Sequence, residues 1–515
     1  MPIKYTTVRR NLITGMNSTN NPILIGNTEV KSLINADLVQ IGKTAKRDGF
    51  AKSGNAPTAL QFKGLTRFNP SGGTDTILGI EGINLRKWTG TGNWSASLDA
   101  GFTTGLYTKM IVGNDLAMIL NGTDNAHSID YDDVVVDLAD AATSPPKGVV
   151  GAYFKDRWFI AKDGLVYFSD VGTQTFDRTE NYFRVSVGDN DDITNLVPFK
   201  ENELFIFKEN SVWLLYTENN ATPLTQWDLI PVDTTTGCVS KEGAVKVGDD
   251  IFFMSNDGVR SIKRNEQDKS YSVQVPISDP IRATWIEEIN WTYKGLIRAT
   301  HYNNRVFFSI PYGTNTTCSH LFVYFLNKDS TLNGWSVWTT EHATAWISGF
   351  VKFPKDNETK LYIADSSVAQ IYEMFSGDDD DDSGIEFEEI GRIEDLTDQK
   401  LEANKKYGKS LFLKTGADEE SEVEVYVQVD EEGFVYLGDM NMNVDAITLP
   451  VDLPFYFDNR DVSLGNFSLD ELEHWYNIQY RLTQSADDSK PLSIIERLFV
   501  IGIENFETDG GTGGT

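Results

Sequence analysis

Two kinds of residue are nearly missing from this 515-residue chain: it holds 2 cysteines and 5 histidines. Two cysteines, Cys238 and Cys318, exclude a disulfide framework, so two buried free thiols are expected. The histidines are His127, His301, His320, His342 and His474, and no HExxH pair or other metal-ligand spacing occurs among them. Long apolar runs are absent too. None approaches the ~18–20 residues of a membrane helix, and the opening MPIKYTTVRRNLITG lacks the apolar stretch of a secretory leader. These absences predict a soluble protein with no membrane anchor, made in a reducing compartment. Basic charge is also scarce, with 45 Lys and Arg against 76 Asp and Glu and a net charge of −31. Gripping a phosphate backbone requires cations that release counterions, so a nucleic-acid clamp is excluded. A chain this acidic would repel DNA or guide it past.

What is plentiful is core material. Hydrophobic residues make up 40% and aromatics 12% of the chain, far from disordered or collagen-like compositions. This material recurs as a unit of apolar run, polar turn and second apolar run. Clear copies are DRWFIAKDGLVYFSD at 156–170, NELFIFKENSVWLLY at 202–216 and DDIFFMSNDGVRSIK at 249–263. Weaker ones begin at 74, 114 and 360, and a longer one spans 303–340. Asp163-Gly164 and Asp257-Gly258 supply the positive φ of tight hairpins, and Glu209-Asn210 fills the same slot less well. Runs such as Leu204, Phe205, Ile206, Phe207 do not alternate with polar residues, so their strands are covered on both faces.

The units start about 40 to 56 residues apart, the period of four-stranded propeller blades. The predicted fold is therefore all-β: a β-propeller of about seven blades over residues 61–376, with an additional C-terminal β-sandwich. A long sandwich or a pair of barrels is the structural alternative. Residues 1–60 are expected to complete the propeller or the sandwich platform. Asp279, Pro280 and the spacing of Ile281, Trp285 and Ile289 predict one helix packed outside the ring. Composition shifts after Phe375, where five consecutive Asp (378–382) open an acidic linker over 377–400. SEVEVYVQV alternates strictly, as a half-exposed sheet does, and residues 401–507 read as the sandwich. Residues 508–515, ending GGTGGT, are a flexible tail.

The search for chemistry gives little. The five-Asp run lacks the turn glycine and spaced ligands of a calcium loop, and GDNDDITNL at 188–196 reads as a turn between blades. FSDVGTQTF at 168–176 departs from the sialidase Asp-box, because Ser169 adjoins Asp170 directly and Thr175 lies one place too far from Gly172. Glycoside hydrolysis needs two placed carboxylates, and no pair stands out. No nucleophile elbow or phosphate-cradling glycine loop is present. Trp335 and Trp338 are read as packing residues in preference to a sugar-binding groove, and Trp213 as a core residue. No catalytic, cofactor or metal site is assigned; the protein is expected not to be an enzyme.

Residues 150–263 resemble the tail-nozzle proteins of short-tailed bacteriophages, also described as tail-hub or packaged-DNA stabilisation proteins. The resemblance rests on FKDRWFIAKDGLVYFSDVGTQTFD, VSVGDNDDITNLVPFKENELFIFKENSVWLL and TGCVSKEGAVKVGDDIFFMSNDGVRSIK. Within them, Ser169, Asp170, Asp189, Asp257 and Gly258 are the blade-turn residues that match the family pattern, and LINADLVQIGKTAKRDGF is like its opening segment. The resemblance implies a homo-oligomeric, six-fold ring in the virion tail, made in the host cytoplasm. The ring would sit below the portal and adaptor proteins and touch further tail proteins. It would close the channel and pass genomic DNA at ejection without specific binding. The alternative is a tail-tip or fibre propeller that binds host surface polysaccharide; a polysaccharide depolymerase ranks third.

Overall fold

The computed structural model describes residues 4–55, 57–186, 188, 191–217, 227–264, 270–340, 347–395, 406–416, 421–430, 432–441, 462–469, 477–487 and 490–503. It divides into two compact units. One comprises Gly49–Val323 and His342–Gly377, the other Met1–Asp48, Tyr324–Glu341 and Asp378–Thr515.

The first unit is a seven-bladed β-propeller. Its innermost strands are Phe62–Phe68, Lys109–Gly113, Val150–Phe154, Ile193–Lys200, Ala244–Val247, Arg298–Tyr302 and Ile347–Lys355, which open blades 1 to 7 in turn. Each leads an antiparallel meander. Successive inner strands are neighbours, and the seventh lies beside the first, so the ring is closed. Blade 7 takes its outermost strand, Phe50–Ser53, from the N-terminal segment, where it pairs with Ile371–Met374. The closure is apolar as well as hydrogen-bonded: Trp88 of blade 1 packs 5.8 Å from Phe353 and 5.5 Å from Tyr362 of blade 7.

Six of the units read from the sequence are the middle hairpins of blades, and the longer one at 303–340 holds that of blade 6 and also Gly334–Thr339 of the sandwich. Those hairpins lie between two neighbouring blades, which is why they are apolar on both faces; Leu204, Phe205, Ile206 and Phe207 are all fully buried. Four of the hairpins joining first to second strands use left-handed residues without glycine: Asn114-Asp115, Lys155-Asp156, Asn303-Asn304 and Asp356-Asn357 all have positive φ. Asn and Asp tolerate that region because their short polar side chains hydrogen-bond locally.

The second unit is a β-sandwich of two sheets. One has the order Val462–Ser468, Lys406–Gly416, Ser493–Ile503, Thr44–Lys46, Ala36–Asp37, with Lys4–Arg10 also on Ser493–Ile503. In the other, Gly334–Thr339, Ser32–Ile34, Phe387–Ile390, Asn477–Gln484, Glu422–Val429 and Val435–Asn441 follow one another. The predicted alternation is present: Val423, Val425 and Val427 are buried while Glu422 is exposed.

Several expectations change. The sandwich does not begin at 401; it draws strands from the N-terminal segment and from 334–339, because the edges of the C-terminal strands need partners that lie elsewhere in the chain. Residues 377–395 are not a linker, and 396–400 lie outside the described residues. Phe387–Ile390 is an interior strand of the sandwich, and the five-Asp run is a hairpin turn, with Asp381 and Asp382 at positive φ and Asp380 hydrogen-bonded across it to Ser383. Asp380 points inward and forms a fork with the Arg47 guanidinium at 2.8 and 2.6 Å. That bond holds it in the core against its desolvation cost.

The expected helix at 279–289 is a 3₁₀ turn, Asp279–Ile281, running into a π turn, Arg282–Ile286. Ile281, Trp285 and Ile289 are buried as the spacing implied. Trp213 is half-buried, packed beside the core between blades 3 and 4, whereas Trp158 is fully buried. Trp335 and Trp338 are core residues of the sandwich unit, each 1% exposed, and the Trp338 indole donates to the Ala36 carbonyl at 2.8 Å. Cys238 and Cys318 are free and buried, and burial pushes their thiols up to about 12 and about 11. The tail at 508–515 lies outside the described residues.

Candidate functional site

The four described blade-turn residues are spread over the propeller and form no common site. Ser169 is buried at the end of the third strand of blade 3, where its Oγ accepts from the Trp158 backbone N–H and donates to the Asp170 carbonyl, both at 2.9 Å. Asp170 is exposed and accepts from the Asn181 amide at 3.2 Å. Asp257 pairs with Arg260 at 2.5 Å, and that bond, with the Ser255 hydroxyl, brings its carboxyl down to about 2 against the effect of burial. Gly258 has φ +132°, and a Cβ there would stand 2.3 Å from the Ser278 hydroxyl. These four shape turns. Asp189 lies outside the described residues.

A different group of residues does converge. Across all seven inner strands the charged residues are Lys63, Arg67, Lys109, Lys200, Lys246, Arg298, Lys352 and Lys355, with His301 beside them; none is acidic. In a chain where acids outnumber bases 76 to 45 this is a strong segregation. The inner strands surround the axis of the closed ring, so the side chains at their two ends gather around the mouths of the axial channel.

The two ends of the channel differ. Where the inner strands finish, each base has a partner: Arg67 pairs with Asp75 at 2.5 Å, Lys200 with Asp249 at 3.5 Å and Lys355 with Glu373 at 2.7 Å. Lys246 donates to the Phe199 carbonyl of the preceding blade. The hairpin turns around this rim carry exposed Asp115, Asp156, Glu201, Asp249 and Asp356.

Where the inner strands start, Lys241 and Glu242 leading into blade 5 and Arg298 of blade 6 surround Tyr107, with Lys109 of blade 2 on Glu242, and Lys63 of blade 1 lies beside Thr108, near enough for the Arg298 charge to act on it. Glu242 accepts from Lys109 and faces Arg298, each at 3.0 Å. The Lys109–Glu242 pair joins blade 2 to the chain entering blade 5, on the far side of a seven-membered ring. Backbone bonds fix the neighbours: the Thr108 N–H donates to the Lys63 carbonyl at 2.9 Å, and the Ala299 N–H to the Glu242 carbonyl at 2.7 Å. The Arg298 guanidinium lies 4.8 Å and the Lys241 ammonium 5.5 Å from the Tyr107 ring centre, in cation–π range.

Glu242 is surrounded by blades yet keeps 32% of its side chain accessible, as a residue on a channel wall does. Burial would raise its carboxyl; the charges of Lys109 and Arg298 outweigh that and hold it below the usual carboxylate range. Burial lowers Lys63 and Lys241, and the Arg298 charge lowers both further. Deeper in the channel, burial lowers Lys352, and burial with the Lys352 charge lowers His301. Burial and the Glu242 charge raise Tyr107 well above its ordinary value. The arrangement is an anion receptor in its chemistry: several half-buried donors carrying positive charge, with one internal carboxylate. Among the described residues no group of three or more His, Cys, Asp or Glu is placed to hold a metal.

Sequence reading missed this cluster. The signal is there, in the basic openings FKG, TKM and LIRAT, but it has meaning only once these strands are known to be innermost.

No protein-family profile matches the chain, and no curated protein does. Among solved structures it is similar to the extracellular domain of the hybrid two component system BT4673 from B. thetaiotaomicron, at 10% identity and TM-score 0.43, covering 63% of this chain and 39% of that one. It is also similar to YCF48 bound to D1 peptide, at 10% identity and TM-score 0.42, covering 64% and 96%. A third is the C-terminal WD40 domain of Sif2, at 12% identity and TM-score 0.37, covering 73% and 99%. The chain thus spans well under half of the first of these proteins. The propeller assignment rests on the strand order and ring closure described above.

Proposed function

We propose that the chain is a structural, non-catalytic protein of a short-tailed phage virion, one subunit of a ring-shaped nozzle below the portal and adaptor. It closes the channel of the mature particle and passes DNA at ejection. The observation that supports this reading most is where the charge lies. Exposed turns of the propeller carry acids, while the basic residues of the inner strands are gathered where those strands start or, at the other rim, mostly ion-paired. Such an exterior offers a duplex few cations from which to release counterions, so a polyanion slides past it without being held. The segment carrying the family resemblance, 150–263, runs through blades 3, 4 and 5, and supports the same reading. In the assembled virion the sandwich serves as the platform toward the adaptor, and six copies close the ring.

The test is a copy count in purified particles by quantitative mass spectrometry. One copy for about every two portal subunits is expected of a six-fold ring under a twelve-fold portal. A different ratio would move the chain to a fibre or tip, and its absence from particles would end the reading. The polysaccharide-binding alternative loses its candidate aromatics, because Trp335 and Trp338 are buried. A glycan array is expected to be blank.

A further inference from the structure

We propose that the mouth of the axial channel where the inner strands begin binds one small oxyanion of the phosphate class, inorganic phosphate or a phosphomonoester. This inference does not depend on the nozzle reading. Four cations, Lys63, Lys109, Lys241 and Arg298, come from four different parts of the ring to one place, and one carboxylate, Glu242, stands among them. Glu242 is committed to Lys109 and Arg298. Lys63 and Lys241 have no carboxylate within ion-pairing distance among the described residues; the Asp192 charge reaches Lys241 only from a distance.

Burying like charges together is unfavourable unless something neutralises them. Packing alone would have been served better by apolar residues, which the blade interiors use throughout. The cations are also preorganised. Arg298 is fixed by its donation to the Gly295 and Ile297 carbonyls at 2.9 and 3.0 Å, by Glu242 and by the Tyr107 ring, and Lys241 lies against the same ring. Ammonium groups converging from several directions suit a compact anion with several acceptor oxygens and more than one charge. Glu242 sets the upper limit on that charge and holds Lys109 and Arg298 apart from each other. Its bridge to Lys109 crosses between distant blades, so the site admits a small ion and excludes a nucleic-acid strand.

The test uses the full chain and inorganic phosphate, titrated by calorimetry at ionic strength held constant with chloride. One saturable site is expected. Acetylation of lysines, read by mass spectrometry, should show phosphate protecting Lys63 and Lys241 while leaving exposed Lys246 unchanged. Lys63→Gln and Lys241→Gln should each weaken binding about tenfold, as loss of a charge-assisted hydrogen bond does, and Lys246→Gln should leave it as it is. Absence of saturation, an equal response to chloride, or protection at neither lysine would overturn the proposal. If a variant does not fold, the footprint on the unaltered chain decides.

Discussion

The sandwich and the propeller both bury charge, but in the propeller part of it is left without an ion pair among the described residues. In the sandwich, three arginines are each locked to a carboxylate from a remote segment. Arg47 holds Asp380, with side chains 3% and 0% exposed, and Arg497 holds Glu389, at 1% and 0%. Arg10 grips Glu394 through two hydrogen bonds at 2.7 and 2.6 Å. These pairs tie the N-terminal segment and residues 380–394 to the C-terminal strands. In the propeller, Lys63, Lys241 and Lys352 are half-buried without such partners among the described residues. A paired buried ion specifies which segments meet. An unpaired one works against the fold, and so points to something the fold alone does not require.

The sharpest way to break the comparison is to unpair the sandwich. Glu389→Leu strands the Arg497 guanidinium and the Tyr480 hydroxyl, which donates to Glu389 at 2.7 Å. It is expected to destabilise by about 3–5 kcal/mol, read as a lowered denaturation midpoint. Trp158→Ala, in the propeller, tests ordinary packing of similar size. Its indole is fully buried between blades 2 and 3, and about 3–5 kcal/mol should be lost. Gly258→Ala is smaller, about 1–3 kcal/mol, from backbone strain at positive φ and the contact with Ser278.

Acid should act on both halves of the propeller's charge pattern. Asp257 and Glu242 have lowered values in the fold, so each stabilises it above the ordinary carboxylate range. That contribution is lost as pH falls, for Asp257 down to about 2. Protonating Glu242 also leaves four cations facing one another. Acid unfolding should therefore begin at lower pH in a Lys63→Gln, Lys241→Gln double variant than in the parent. The smallest effect is the most telling. Lys352 is lowered, so its charged form favours the unfolded chain, and Lys352→Gln should raise the melting temperature slightly. A fall instead would mean that the lysine has a partner and the comparison fails.

Much of the propeller was legible because its middle strands are apolar on both faces and separated by hairpin turns. Asp163 and Gly164, expected in left-handed conformation, have φ +53° and +73°. The blade count followed from counting such hairpins. The inner strands were harder: KMIVG or AVKV is too short to stand out, and each carries a lysine. The sandwich boundary was illegible for another reason. Lys4–Arg10 pairs with Val500 and its neighbours across nearly the whole chain, and nothing local in TTVRR names that partner. The five-Asp run misled because charge in sequence reads as solvent, and only Arg47, 333 residues away, makes Asp380 a core residue.

The sequence by itself determined what local forces govern: all-β structure, the turns, the hairpin repeat, and a strongly acidic chain. Those follow from side-chain periodicity, φ preference and net charge, each a property of neighbours along the chain. Only the tertiary structure decided which strand closes the ring, which aspartate is buried and which lysines meet at the axis. These depend on contacts between residues far apart in sequence, where long-range packing, and not local preference, sets the free energy.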